Sequence, residues 1–542
     1  MNKFLILWVL NLLSLSFSFP AALLATPRPC AEADRAALLD FKASVVADTT
    51  GILSSWSGDT DCCGGAWEGV GCDPATGRVT ALQILQGRGY MKGTLSPSLA
   101  NLTFLETMVV SGMKFIKGTI PESLSRLARL AQLYLEDNSL QGPIPPSLGS
   151  LPNLKALSLG GNRLEGQVPP SLGRLGRSLL QLNLARNLLE GPIPPTFKNL
   201  SLLQSLDLSS NSLSGGVPSF VGQLQRLAYL DLSRNHFSGE IPISLSGSST
   251  SNVLMDLSLS HNRLVGGIPA QIGSLKSLAT LDLSNNFLTG AIPDSIARLG
   301  KLWYLNLSRN ALSDPLPNSL AGGLASLLSI DLSYNNLHLG TIPDWIKERE
   351  LRDVHLANCN IRGTLPTFSN PDSLSSIHLS NNYLTGDISD FISNMTGLEI
   401  LLLSHNMITG ELPEFSNQVP GLRWLDLSSN GIGGHIPSTL SGLSSLQRLD
   451  ISRNRVNGSI PESIGQMVRL EWLDLSSNYI TGKIPESLSR LGRIRHASFR
   501  NNRLCGKIPQ ERPFNVFPAA AYAHNLCLCG QPLPACRKSQ IP

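Results

Sequence analysis

Nine cysteines are the first residues of this 542-residue chain that point to chemistry. Cys30, Cys62, Cys63 and Cys72 lie near its start, Cys505, Cys527, Cys529 and Cys536 near its end, and Cys359 stands alone. Even groups of thiols at both ends read as disulfides made in an oxidising compartment. We assign Cys30–Cys62 and Cys63–Cys72; spacings of 22, 2 and 7 suggest Cys505–Cys527 and Cys529–Cys536, although spacing alone does not prove connectivity. Nine histidines are scattered, and there is no Gly-rich phosphate loop, His-Glu-x-x-His or Cys-x-x-Cys. Cys527-x-Cys529 reads as cap disulfides rather than metal ligands. The expectation is a protein that is not an enzyme and uses no cofactor or metal.

Three constellations remain as candidates for binding. Trp424, Arg448 and Trp472 follow one another at a single constant interval. The same interval separates Asp331 from His355, and His378 follows at nearly that distance. Such residues touch only if the chain turns once per interval, so that a guanidinium falls between two indoles and two imidazoles beside a carboxylate. Exposed Trp and Arg are frequent interface anchors, and a self-satisfied cation–π stack that stiffens a sheet is the bland alternative. The imidazole pair would respond to acidic pH, or would be two solvated histidines with no role. Arg448, Arg453, Arg455, Arg490, Arg493, Arg495, Arg500, Arg503 and Lys507 crowd the last coils. They form either a patch for a polyanion such as pectate or a soluble terminus.

The element that must position them is a repeat. LxxLxLxxNxLxGxIP recurs with its Asn at 138, 162, 187, 211, 235, 262, 286, 310 and 335, then at 382, 406, 430, 454, 478 and 502. Cys359 fills the Asn slot between 335 and 382, either as a reactive thiol or as a small buried donor. Two irregular units come first, giving about 18 units over 79–510. In Leu281-Asp-Leu-Ser-Asn-Asn286 the alternation predicts a short strand with Leu281 and Leu283 inward and Thr280, Asp282 and Ser284 outward. The Asn should turn inward onto backbone groups left unpaired after the strand. The fold expected is an α/β solenoid with a parallel sheet on its concave face and disulfide-stapled caps. The slot before the first inner leucine reads Tyr304, Ser329, Asp353, Ser376, Ile400, Trp424, Arg448, Trp472, His496, and the departures there from small residues mark where a ligand would sit.

Leu281-Asp-Leu-Ser-Asn-Asn-Phe-Leu-Thr-Gly-Ala-Ile-Pro293 resembles the plant extracellular leucine-rich repeat. Asp61-Cys-Cys63…Cys72 and Ala521–Cys536 resemble the caps of polygalacturonase-inhibiting proteins and their relatives. That family has about ten repeats, so this chain departs in length. The resemblance implies a secreted, wall-located recognition protein whose partner is a protein or peptide, such as a microbial polygalacturonase. A receptor-like partner of a receptor kinase ectodomain and a wall-structural or ice-binding protein are the alternatives.

Composition agrees with such a periodic object. Only 15% of residues are charged and 42% are hydrophobic, and a net charge of +4 is too mild for nucleic acid. Lys3, an apolar run from Phe4 to Leu15 and small residues near Ala25 read as a signal peptide over 1–25. A cap over 26–78, repeats over 79–510 and a cysteine cap over 511–542 follow. No later apolar run suggests a membrane span, the polar tail suggests no lipid anchor, and the longest insertion is near Ser248–Asn252. Sequons at Asn101, Asn199, Asn306, Asn394 and Asn457 would carry glycans in a secreted chain; one on Asn306 would obstruct the middle of the concave face.

Overall fold

A computed structural model describes residues 28–85, 87–246, 253–393, 395–415 and 419–536. The signal-peptide reading, the Asn394 sequon, the Ser248–Asn252 insertion and the tail from Arg537 lie outside them. The described chain divides into two compact units, one up to Leu140 with Leu151–Leu154, the other Gln141–Ser150 with the residues from Lys155 onwards.

The first unit begins with a helix, Glu32–Ser44, whose Ala37, Leu38 and Phe41 recur at helical spacing and are buried. Asp34 is buried on the same helix, which is tolerable because Arg78 grips both its oxygens at 2.9 Å and the Val79 amide donates a third bond. Trp56 and Trp67 stack beneath at 5.4 Å. Disulfides Cys30–Cys62 and Cys63–Cys72 tie this lid together. Strand Val70–Asp73 pairs antiparallel with Arg78–Leu85, which starts a parallel series through Thr107–Ser111 to Gln132–Tyr134.

In the second unit each coil contributes a three-residue strand in register with the next, from Gln181–Asn183 through Thr280–Asp282 to His496–Ser498. The inner leucines, such as Leu281 and Leu283, are fully buried against their counterparts one coil away. The asparagines form the expected ladder. Asn286 Nδ2 donates to the carbonyls of Leu259, Leu283 and Ser284 at 3.0–3.2 Å, and its Oδ1 accepts from Leu264 N. One side chain thereby satisfies backbone groups of two coils.

Two details depart from simple alternation. Ser284 is buried, not outward, and Asp282 is half-buried, because Asp282 Oδ1 accepts from Ser284 N at 3.0 Å and folds the strand end over. The chain then passes Asn285 at φ 55°, a left-handed turn stabilised by its amide bond to Ser308 O. Beyond the ladder a second set of short strands forms, for example Arg263–Gly266 with Phe287–Ala291, and Gly290 adopts φ 75° within it. Proline then precedes a short 3₁₀ segment such as Asp294–Arg298. At the far end Arg503–Lys507 pairs with Cys527–Cys529, beside disulfides Cys505–Cys527 and Cys529–Cys536. Phe499 stacks on Tyr522 at 5.7 Å, and the Tyr522 hydroxyl donates to Phe514 O, closing the core.

Candidate binding face

Strand pairing sets Trp424, Arg448, Trp472 and His496 in one row on four adjacent strands. The Arg448 guanidinium lies 4.4 Å from the Trp424 ring and 4.8 Å from the Trp472 ring, and His496 stacks on Trp472 at 3.6 Å. Ring faces within the stack are therefore covered, and its edges point outwards. Arg448 Nε and His496 Nε2 are buried without hydrogen-bond partners, and burial lowers the His496 pKa. Beside the row run Asp426, Asp450 and Asp474. Burial, then the neighbouring Asp426 and Asp474, push Asp450 up to about 6 despite its bonds to Ser452. A comb of cation and indole edges beside carboxylates suits a polar ligand with both acceptors and donors better than a flat apolar one.

The same register joins Asp331, His355 and His378. The rings meet edge-on at 5.9 Å, and His355 Nδ1 is 3.8 Å from Asp331 Oδ2. Ser376 completes the group, its Oγ 2.8 Å from His355 Nε2; the side-chain alternation carried no sign of that bond, although Ser376 stood in the adjacent row. Burial, then His355, lowers His378 to about 4, so it stays neutral in mild acid. Burial alone would raise Asp331, but its contact with His355 and its bonds to Ser333 hold it low. In this group the Asp331–His355 contact is long, at 3.8 Å, and the Ser376 amide is bonded to Arg352 O.

Tyr304 and Asn306 lie on one strand, and Asn306 Nδ2 donates to the Tyr304 hydroxyl at 3.2 Å. Asn306 Oδ1 accepts from Ser308 N and Oγ, as Asp207 does from Ser209. Asn306 thus has a turn-closing role, whereas Asn101, Asn199 and Asn457 are exposed. Arg495 precedes the strand His496–Ser498 while Arg500 and Arg503 follow it, on the opposite margin of the sheet. Arg453 sits at the left-handed turn, and Arg455 precedes the row of Tyr479, over which Arg503 lies at 5.0 Å. The alternation also gave no weight to the residue just before each strand, although its type changes sharply along the chain.

Coils of near-constant length, with inward leucines, an asparagine ladder and capped ends, define a leucine-rich repeat protein. The family patterns agree: "Leucine rich repeat" matches residues 177–237, 252–312, 372–432, 420–480 and 446–504, with a second form at 129–151, 153–175 and 326–348, and "Leucine rich repeat N-terminal domain" matches 31–73. The chain belongs to the plant leucine-rich repeat proteins, and its fold is similar to that of leucine-rich repeat ectodomains.

It is 34% identical over 130 residues to DNA damage-repair/toleration protein DRT100 of Arabidopsis thaliana, covering 22% of this chain and 35% of that protein. It is 38% identical over 106 residues to the polygalacturonase inhibitor of Vitis vinifera, covering 18% and 30%. The chain thus matches about a third of the length of each. Among solved structures, the ectodomain of the Arabidopsis thaliana receptor kinase GASSHO1/SCHENGEN3, in complex with CASPARIAN STRIP INTEGRITY FACTOR 2, aligns with 84% of this chain and 60% of its own. That alignment has 32% identity and a TM-score of 0.58. These folds are binding scaffolds, and no described helix is long and apolar enough to cross a membrane.

Proposed function

We propose that this protein is a secreted, non-enzymatic recognition protein of the plant cell wall that holds a protein or peptide on its strand face. The observation that carries this reading is the Trp424–Arg448–Trp472 stack, a cation clamped between two indoles in a slot that elsewhere holds residues as varied as Ser205, Asp256, Thr280, Tyr304 and Ile400. A structural role alone would not need both indoles half-exposed. Tyr304, His355 and His378 extend the face, and Arg453, Arg455, Arg495, Arg500 and Arg503 supply charge along two margins for a wall polyanion such as pectin. The caps and the Vitis vinifera relative support one specific version, inhibition of a microbial polygalacturonase. The test is capture of purified polygalacturonases on the immobilised chain with activity assayed in parallel. Binding should weaken by about 30-fold in Trp424→Ala and Trp472→Ala, the effect of losing a hot-spot residue worth about 2 kcal/mol. No capture and no loss of activity would reject the inhibitor version.

The likeness to a receptor kinase ectodomain solved in complex with a partner favours a second reading, a receptor-like partner of a receptor kinase. Recovery of a kinase ectodomain with the chain from wall and membrane extracts, in place of polygalacturonase, would select it.

A further inference from the structure

The residue immediately before each strand forms its own row, because its amide donates to its counterpart one coil back. Met255 N donates to Ala228 O, Ala279 N to Met255 O, Trp303 N to Ala279 O and Leu328 N to Trp303 O, all at 2.7–2.9 Å. Ala228, Met255, Ala279, Trp303 and Leu328 are thus five consecutive rungs, all apolar. Met255 is 43% exposed, Trp303 38% and Leu328 45%, while the two alanines are half-buried notches between larger neighbours. The next rung is Arg352, and from there to Arg495 the position is polar in every coil, with Glu399, Arg423 and Glu471 among them. The repeat therefore folds with a polar residue at this place. Five apolar rungs in succession, three of them exposed, are not a requirement of the core.

Charge around the stripe is asymmetric. On its strand side lie Asp231, Asp256, Asp282, Asp331 and Asp353, with Tyr229 and Tyr304 between them. On its outer side Arg226, Lys276 and Lys301 are exposed. A ligand with apolar groups on the stripe is driven to place its cations over the carboxylates and away from the lysines. Spacing narrows the shape further. Rungs about 4.8 Å apart nearly match the 5.4 Å turn of an α-helix, whereas alternate residues of an extended chain, about 6.8 Å apart, lose step within two rungs.

We infer that the row Ala228–Met255–Ala279–Trp303–Leu328 is a docking stripe for an amphipathic basic helix of a partner protein. Its apolar side chains seat in the notches at Ala228 and Ala279, and its Lys or Arg side chains face Asp256 and Asp282. This surface is separate from the Trp424–Arg448–Trp472 stack and does not depend on it.

The test uses three labelled peptides of about 13 residues, the length of a helix spanning five rungs: an amphipathic Leu/Lys helix, the same with Leu replaced by Ser, and the same with Lys replaced by Glu. Fluorescence anisotropy with the full chain should show the Leu/Lys peptide bound at least about ten-fold more tightly than either control. Met255→Ser with Leu328→Ser should remove that preference, and Asp256→Asn with Asp282→Asn should narrow the Lys-over-Glu discrimination. Asn306 already makes the turn bonds of Asp282's slot, and Asn at 256 keeps an Oδ1 to accept from the Thr280 hydroxyl as Asp256 does at 2.7 Å. Trp424→Ala should leave this binding unchanged, which separates it from the reading above. Equal affinity for all three peptides, or undiminished affinity in the serine variant at an unchanged melting temperature, would overturn the inference. So would sedimentation showing that the chain self-associates and that the serine variant does not, since the stripe would then be a contact between copies.

Discussion

Cys359 occupies the slot where neighbouring coils carry asparagine, and its Sγ lies 3.6 Å from the carbonyls of Leu332 and Ala357. Those are the donor-side contacts an asparagine amide makes, so the thiol serves the ladder in place of Asn. Burial, then Asp331 and Asp314, push its pKa up to about 12, so almost no thiolate is present at neutral pH. Iodoacetamide at pH 7 should leave Cys359 unlabelled in the native protein and label it fully in urea; native labelling would restore the redox reading. Asn306 follows the same logic of an occupied side chain. Glycopeptide mass spectrometry should find it unmodified and find glycans on the exposed Asn101, Asn199 and Asn457.

The coil is the next scale, and its stability rests on buried leucines together with one asparagine. Replacing Asn286 by Ala removes four bonds and leaves the Leu264 amide unpaired in a dry core, while the Leu259 and Leu283 carbonyls keep one bond each, from Asn262 and Asn310. That substitution should cost about 2–4 kcal/mol in urea unfolding, more than a surface change of equal size. The Asx-type turn before the ladder is a weaker element. Asp207, Asn183 and Asn306 all accept an amide bond two residues ahead, so Asp and Asn exchange there with little geometric penalty.

Across the molecule, that exchangeability decides a pH dependence. Burial, then Asp231, pushes Asp207 up to about 6, and burial, then its like-charged neighbours, brings Asp450 to about 6 against its bonds to Ser452. A carboxyl whose folded pKa exceeds its ordinary 3.8 is held by a fold that prefers it protonated. Stability is therefore highest below about 3.8 for these groups and declines as pH rises towards about 6. His378, lowered to about 4, acts oppositely: its contribution is complete above 6.5 and is lost as pH falls. Asp207→Asn with Asp450→Asn should raise stability at pH 7 by about 1–3 kcal/mol per site and change little near pH 3.5. Calorimetry at the two pH values checks it, and an equal gain at both would refute the assignment.

Periodicity made the fold legible because each coil repeats the same demand: leucines that one coil cannot bury alone and an asparagine for the backbone they leave behind. It also placed Trp424 beside Arg448 and Asp331 beside His355, since register in a parallel sheet follows the repeat length directly. What alternation could not convey was where it stops. Ser284 turns inward and the carboxylates are half-sunk because side chains bond to the chain's own turn, a choice set by local geometry after the strand ends. Arg495 precedes the strand His496–Ser498 while Arg500 and Arg503 follow it, an order around the strand that the run of arginines by itself did not convey. The apolar stripe from Ala228 to Leu328 went unread for a related reason: its members are a full coil apart in the chain, and only backbone hydrogen bonds between successive coils make them neighbours.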